Sequence, residues 1–136
     1  MNVTVDANIL FACLIKEGNT RKAWFNPELI LFAPQFIIIE FTKYKEQLEK
    51  KYDSDKENFD QFFQRLLNNV KLISDSELYP YIPAASTLST DQKDWFYLAC
   101  ALKENTIIWS NDKEMKKQNR ITIKTTEELI KEIGLL

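Results

Sequence analysis

Val3-Thr4-Val5-Asp6-Ala7-Asn8-Ile9-Leu10-Phe11-Ala12-Cys13-Leu14-Ile15 is the stretch that decides the fold class of this chain. Val3 and Val5 alternate about a polar residue, as in a short strand, and Ile9, Leu10, Cys13 and Leu14 then recur at helical spacing. The order is strand, Asp, helix. Asp6 is the only charged side chain among these residues. That acid, the lack of a basic start and the absence of a small-residue cleavage site separate the segment from a secretory leader, so it reads as part of the fold.

Outward from this opening the same alternation repeats. Gly18 and Asn19 stop the first helix and start a second through Trp24, and Leu29 to Phe32 is a continuous apolar run of strand length. Pro34 suits the first turn of a helix running from 35 to about 51, with a buried first half and a charged, solvated second half. Ser54 and Glu57 have capping-box spacing. Phe59, Phe62, Phe63, Leu66, Leu67 and Val70 then trace the clearest amphipathic helix. Val70 to Ile73 reads as a third strand, and Ser74 to Ser89, holding Pro80 and Pro83, as the least regular stretch. Asp91 caps a helix from Gln92 to about Glu104, Thr106 to Trp109 is a fourth strand, and Ile121 to Lys124 a fifth. Thr125 and Glu128 cap a terminal helix. Strands alternating with helices predict an α/β fold, a three-layer α/β/α sandwich around a mainly parallel sheet of four to five strands. Ligands bind such sheets beyond the carboxyl ends of the strands, where Asp6 and Asp112 both fall.

The chain has 136 residues, room for one domain over 1–136. Its net charge of -2 and pI near 5.3 mean that bulk positive charge cannot hold a polyanion. There is no His, which excludes His-based triads and imidazole ligation. Cys13 and Cys100 lie far apart in apolar runs, without metal-binding or redox spacing, and read as core thiols. No apolar stretch approaches the ~18–20 residues that span a bilayer, so a cytoplasmic protein without membrane contact is expected. Any chemistry must come mainly from carboxylates.

Among those, Asp6 and Glu40 stand out. Glu40 is the only charge between Glu28 and Lys43, embedded in Phe36-Ile37-Ile38-Ile39-Glu40-Phe41. Burying a carboxylate costs several kcal/mol (about 2–7 for a polar group, more for an ion) unless a cation or several donors offset it. Each acid has an ordinary role open to it: Asp6 as a helix cap, Asp91 and Asp94 as complements of a helix dipole, Asp112 and Glu114 likewise, and Glu40 as partner of a distant Lys or Arg. Taken together, Asp6 and Asp112 end strands, Asp94 starts a helix and Glu40 lies in the apolar part of another, so all could converge on one pocket. Oxygen-only ligation there selects Mg²⁺ or Mn²⁺. Lys16, Arg21, Lys22, Lys43, Lys93, Lys113 and Lys116 are the basic side chains available to line an approach.

These blocks resemble those of PIN-domain ribonucleases, a family that includes VapC-like toxins and stand-alone PIN proteins. Val3 to Leu10 is similar to the family's opening, with Asp6 as first acid, and Ile39-Glu40-Phe41 to its second. Asp91-Gln92-Lys93-Asp94-Trp95-Phe96-Tyr97-Leu98-Ala99 resembles the third, with Asp94 matching and Asp91 accessory. Ile107-Ile108-Trp109-Ser110-Asn111-Asp112-Lys113-Glu114 resembles the fourth, with Asp112 as acid, Ser110 in place of a commoner Thr, and Glu114 as a fifth carboxylate; Met115 stands where an aromatic is common. The resemblance implies Mg²⁺- or Mn²⁺-dependent cleavage of single-stranded RNA by Asp6, Glu40, Asp94 and Asp112 as catalytic and metal-binding acids, with Asn8, Asp91, Ser110 and Glu114 accessory. It also implies a homodimer and an antitoxin partner. Two alternatives are a receiver-type phosphotransfer domain using Asp75, which wants paired acids that Asp6 lacks, and an inactive RNA-binding or protein-interaction module of the same fold.

Overall fold

Thr4 faces one side of the central sheet and Val3 and Val5 the other, and this period of two divides the core. The computed structural model describes residues 1–135. Five strands, β1 (Asn2–Val5), β2 (Ile30–Pro34), β3 (Val70–Ile73), β4 (Ile107–Trp109) and β5 (Ile123–Lys124), form one sheet in the order β3-β2-β1-β4-β5. Every pairing is parallel. Val3, Val5, Leu31, Ala33 and Trp109 pack beneath α1 (Ala7–Ile15), α2 (Asn19–Trp24), α3 (Phe36–Lys51), α4 (Phe59–Asn68) and α8 (Thr126–Glu132). Phe32 and Ile108 face the opposite core, covered by α5 (Asp75–Leu78), α6 (Ile82–Ser86) and α7 (Gln92–Glu104). The result is the expected three-layer α/β/α sandwich.

The strand order matters for function. The chain runs β1, β2, β3 in one direction, then returns past β1 to place β4 on its other side. The order therefore reverses between β1 and β4, and a crevice opens at their carboxyl ends. Val5 is in register with Trp109, and the Asp6 amide donates to the Trp109 carbonyl at 3.0 Å. Asp6 and Ser110 are thereby held side by side at that crevice.

Cys13 and Cys100 are buried free thiols, as their place in apolar runs implied, and Trp24 and Trp109 are fully buried with ring centroids 6.2 Å apart. Four local expectations are corrected. Pro34 ends β2 instead of opening a helix: it pairs with Ile73, and the next residue, Gln35, supplies the amide to the Ile73 carbonyl. The second half of α3 is mostly solvated, as expected, but the helix divides by face as well as by half, since Ile39 is 60% exposed while Leu48 is buried. Asn58, not Ser54, caps α4, accepting from the Gln61 amide, because Glu57 is engaged with Arg65 at 2.8 Å. Residues 74–89 are mostly helical, as α5, a 3₁₀ turn over Tyr79–Tyr81 and α6, with Pro80 and Pro83 in first-turn positions that lack an amide requirement. Among the described residues no helix is long and apolar enough to cross a membrane.

Candidate acidic site

Asp6 occupies the residue before α1, yet its side chain makes no capping hydrogen bond. Its carboxylate instead accepts the Ser110 hydroxyl at 2.7 Å, and the Ser110 oxygen accepts the Asp112 amide at 3.0 Å. One buried hydroxyl thus ties together the acids that end β1 and follow β4. Asp112 does cap the 3₁₀ turn Lys113–Lys117, through the Glu114 amide at 2.9 Å. Asp91 caps α7 through the Lys93 amide. The ordinary helix-capping role is therefore filled by Asp91 and Asp112, and it is Asp6 that has no such employment.

Asp94, in the first turn of α7, accepts the Ser89 hydroxyl at 2.9 Å. Tyr97 lies one turn further along the same face, 1% exposed, and its hydroxyl donates to Oε1 of Glu40. Glu40 is half-buried on α3, one turn beyond Phe36, whose ring meets the edge of Tyr97 at a centroid distance of 6.2 Å. Among the described residues, no Lys or Arg nitrogen comes within 4.0 Å of the carboxylates of Asp6, Glu40, Asp94 or Asp112. Glu40 thus has no direct ion pair, and the nearest basic influence on it is the charge of Lys93 on α7.

The charges act on one another. Burial pushes the Asp6 carboxyl up to about 6; the Ser110 bond opposes the shift, and the charges of Glu40 and Asp94 add to it. Glu40 is raised by burial first and by Asp94 and Asp91, against the Tyr97 hydrogen bond and the charge of Lys93. Asp94 is raised by burial, with Asp91 and Asp112 contributing and Ser89 opposing. Burial, Glu40 and Asp6 keep the Tyr97 phenol protonated far above its usual range. Four acids from distant segments share one electrostatic neighbourhood. An open cleft of about 400 Å³, lined by Ser89, Asp91, Asp94, Asp112, Glu114 and Lys117, gives solvent access to its Asp94–Asp112 side. The hollow of about 470 Å³ around Ile15 to Thr20 lies at the far end of α1 from Asp6 and holds none of these acids.

The accessory residues divide. Ser110 is fully buried between two acids, Asp91 borders the cleft, and Glu114 borders it while paired to Lys117 at 2.6 Å. Asn8 is exposed on the first turn of α1. Arg21 is withdrawn from any approach: its guanidinium donates to the carbonyls of Cys13, Leu14 and Asp53. Lys116 is paired with Glu128. Asp75 sits beyond β3 at the start of α5, with one buried oxygen that lacks a partner. Ser89 and Tyr97 were missed from sequence; the one signal was the placement of Tyr97 three residues after Asp94.

The donor set is oxygen-only and, among the described residues, free of direct ion pairs, which suits a hard divalent cation. Among the described residues no three of these side chains close on a common point as direct ligands would.

A PIN domain family model matches residues 4–133, and the chain belongs to that family. No curated protein matches it. Among solved structures it is similar to VapBC2 from Rickettsia felis bound to a promoter DNA fragment, at 16% identity and TM-score 0.67, covering 92% of this chain and 98% of that one. It is also similar to PAE2754 from Pyrobaculum aerophilum, at 17% identity and TM-score 0.66, with coverage of 100% and 91%. VapBC-1 from nontypeable Haemophilus influenzae matches at 17% identity and TM-score 0.64, with coverage of 93% and 99%. At these identities the likeness is one of fold.

Proposed function

We propose that this PIN-domain chain is a divalent-metal-dependent endoribonuclease that hydrolyses phosphodiester bonds of single-stranded RNA. Asp6, Glu40, Asp94 and Asp112 hold one or two Mg²⁺ or Mn²⁺ ions, directly or through water. The observation that carries this reading is the gathering of these carboxylates, none of them in a direct ion pair, at the crevice where the strand order reverses. Once held there, such an ion would supply positive charge opposite the scissile phosphate and lower the pKa of a coordinated water. The protein's own share is orientation. Ser110 fixes Asp6 against the Asp112 loop, Ser89 fixes Asp94, and the cleft beside Asp94 and Asp112 admits the RNA backbone. Asp91, Glu114 and Asn8 are accessory to that arrangement.

The same reading makes the protein the toxin of a toxin–antitoxin pair, acting as a homodimer in the cytoplasm and held by an antitoxin; its fold likeness to two VapBC proteins supports it. The test is cleavage of a mixed single-stranded RNA pool with Mg²⁺, Mn²⁺ or EDTA, beside a folded Asp94→Asn control. Metal-dependent products lost in the control are expected. Equal cleavage by the control would overturn the site, and no cleavage together with no metal binding would favour the inactive binding module.

A further inference from the structure

We propose that Tyr97 is a positioning residue of the acidic site, holding Glu40 by one oxygen so that the other alone is presented to a divalent cation. This rests on the metal-dependent reading above, and it concerns a residue that the acids themselves do not point to. A buried phenol needs a hydrogen-bond partner, and Phe would fill the same space without that demand. Here the hydroxyl is spent on Glu40 Oε1. Among the described residues it is the sole hydrogen-bond partner of the Glu40 side chain, which has no Lys or Arg within ion-pair range. The charge of Lys93 on α7 also acts on Glu40, but among the described residues no other side chain hydrogen-bonds that carboxylate.

The surrounding packing makes the hydroxyl a rigid reference. Tyr97 is 1% exposed, and its ring is braced edge-on by Phe36, which precedes Glu40 by one helical turn. Phe36 in turn meets Phe96 at 5.3 Å between centroids. Phe36 and Glu40 thus present ring and carboxylate to the same phenol, and α3 and α7 are keyed to each other at the site. Tyr97 also follows Asp94 by three residues, so a single helix face supplies one acid and orients another. Partners behind a metal ligand typically change metal affinity roughly 10–100-fold when removed. Tyr97 is such a partner for Glu40.

The experiment is a titration of metal-free protein with Mn²⁺, followed by calorimetry, for the wild type, Tyr97→Phe, Glu40→Gln and the double variant, with thermal melts to verify folding. Tyr97→Phe is expected to weaken Mn²⁺ binding about tenfold, and to weaken it no further in the Glu40→Gln background. Glu40→Asp keeps the charge but withdraws it from the hydroxyl, and should match Tyr97→Phe even if that variant folds poorly. On RNA, the loss should fall on kcat with KM unchanged. Mn²⁺ affinity of Tyr97→Phe or Glu40→Asp within twofold of wild type, or a loss that persists in the Glu40→Gln background, would overturn the role of Tyr97 and leave the nuclease reading standing. A folded wild type that binds no Mn²⁺ would overturn both.

Discussion

The Ser110 hydroxyl sits between Asp6 and the Asp112 amide, 2.7 Å from the one and 3.0 Å from the other, at the junction of β1 and β4. It donates to the first and accepts from the second. Two acids 106 positions apart are thereby aligned by one oxygen atom.

Removing that oxygen should uncouple them. Ser110→Ala is expected to lower kcat on RNA by roughly 10–100-fold and to destabilise the fold by about 1–3 kcal/mol, the cost of a buried acceptor left short of its donor. Ser110→Thr, which restores a hydroxyl, should recover most of the rate. Equal rates for the Ala variant and the wild type in single-turnover cleavage would contradict the arrangement.

Asp6 carries a pH dependence whose sign is unusual for an acid. Its folded pKa, about 6, lies above the ordinary Asp value of 3.8, so between those values the native state binds the extra proton. The associated stability is present in full below the unfolded pKa and is lost as pH rises through about 6. In EDTA the melting temperature should therefore fall between pH 5 and pH 7, by an amount reflecting at most about 3 kcal/mol. Adding Mg²⁺ at pH 7 should restore it. Melts that rise steadily over this range would refute the burial of an uncompensated charge.

Asp6→Asn removes the charge and keeps the shape. Cleavage should be abolished, while the metal-free variant at pH 7 should melt above the wild type by several degrees, roughly 2–8 °C per kcal/mol regained. A function-killing substitution that stabilises separates a chemical role from a structural one.

Arg21 gives the opposite pattern. Its guanidinium, with 11% of the side chain exposed, gathers the last carbonyls of α1 and the Asp53 carbonyl and stacks on Phe62. Arg21→Leu should cost about 1.5–3 kcal/mol for each charged hydrogen bond not replaced by water, with kcat/KM of the folded fraction unchanged. Denaturant melts and RNA cleavage measure the two separately.

The layers and the acids were legible for different reasons. Asp6 and Asp112 could be placed because a strand end is a topological address: once β1 and β4 are parallel, their carboxyl ends share a rim. Glu40 was legible through its cost, as a lone charge in an apolar run. Tyr97 and Ser89 were not, because an aromatic or a serine on a helix has many ordinary uses, and only the packing of α3 against α7 gives the hydroxyl of Tyr97 an address. The run 74–89 misled because prolines that look like breakers also fit the opening turns of short helices. Arg21 looked like a surface cation because nothing in sequence reveals that the carbonyls of Cys13, Leu14 and Asp53 converge on its guanidinium.

The reversal of strand order between β1 and β4 also sets a schedule. Asp6 leaves the ribosome early and Asp112 late, and until β4 has docked beside β1 the first acid has neither the hydroxyl nor the loop that complete its surroundings. Asp6 therefore acquires its hydrogen-bonded surroundings only when a serine 104 positions downstream has been brought beside β1.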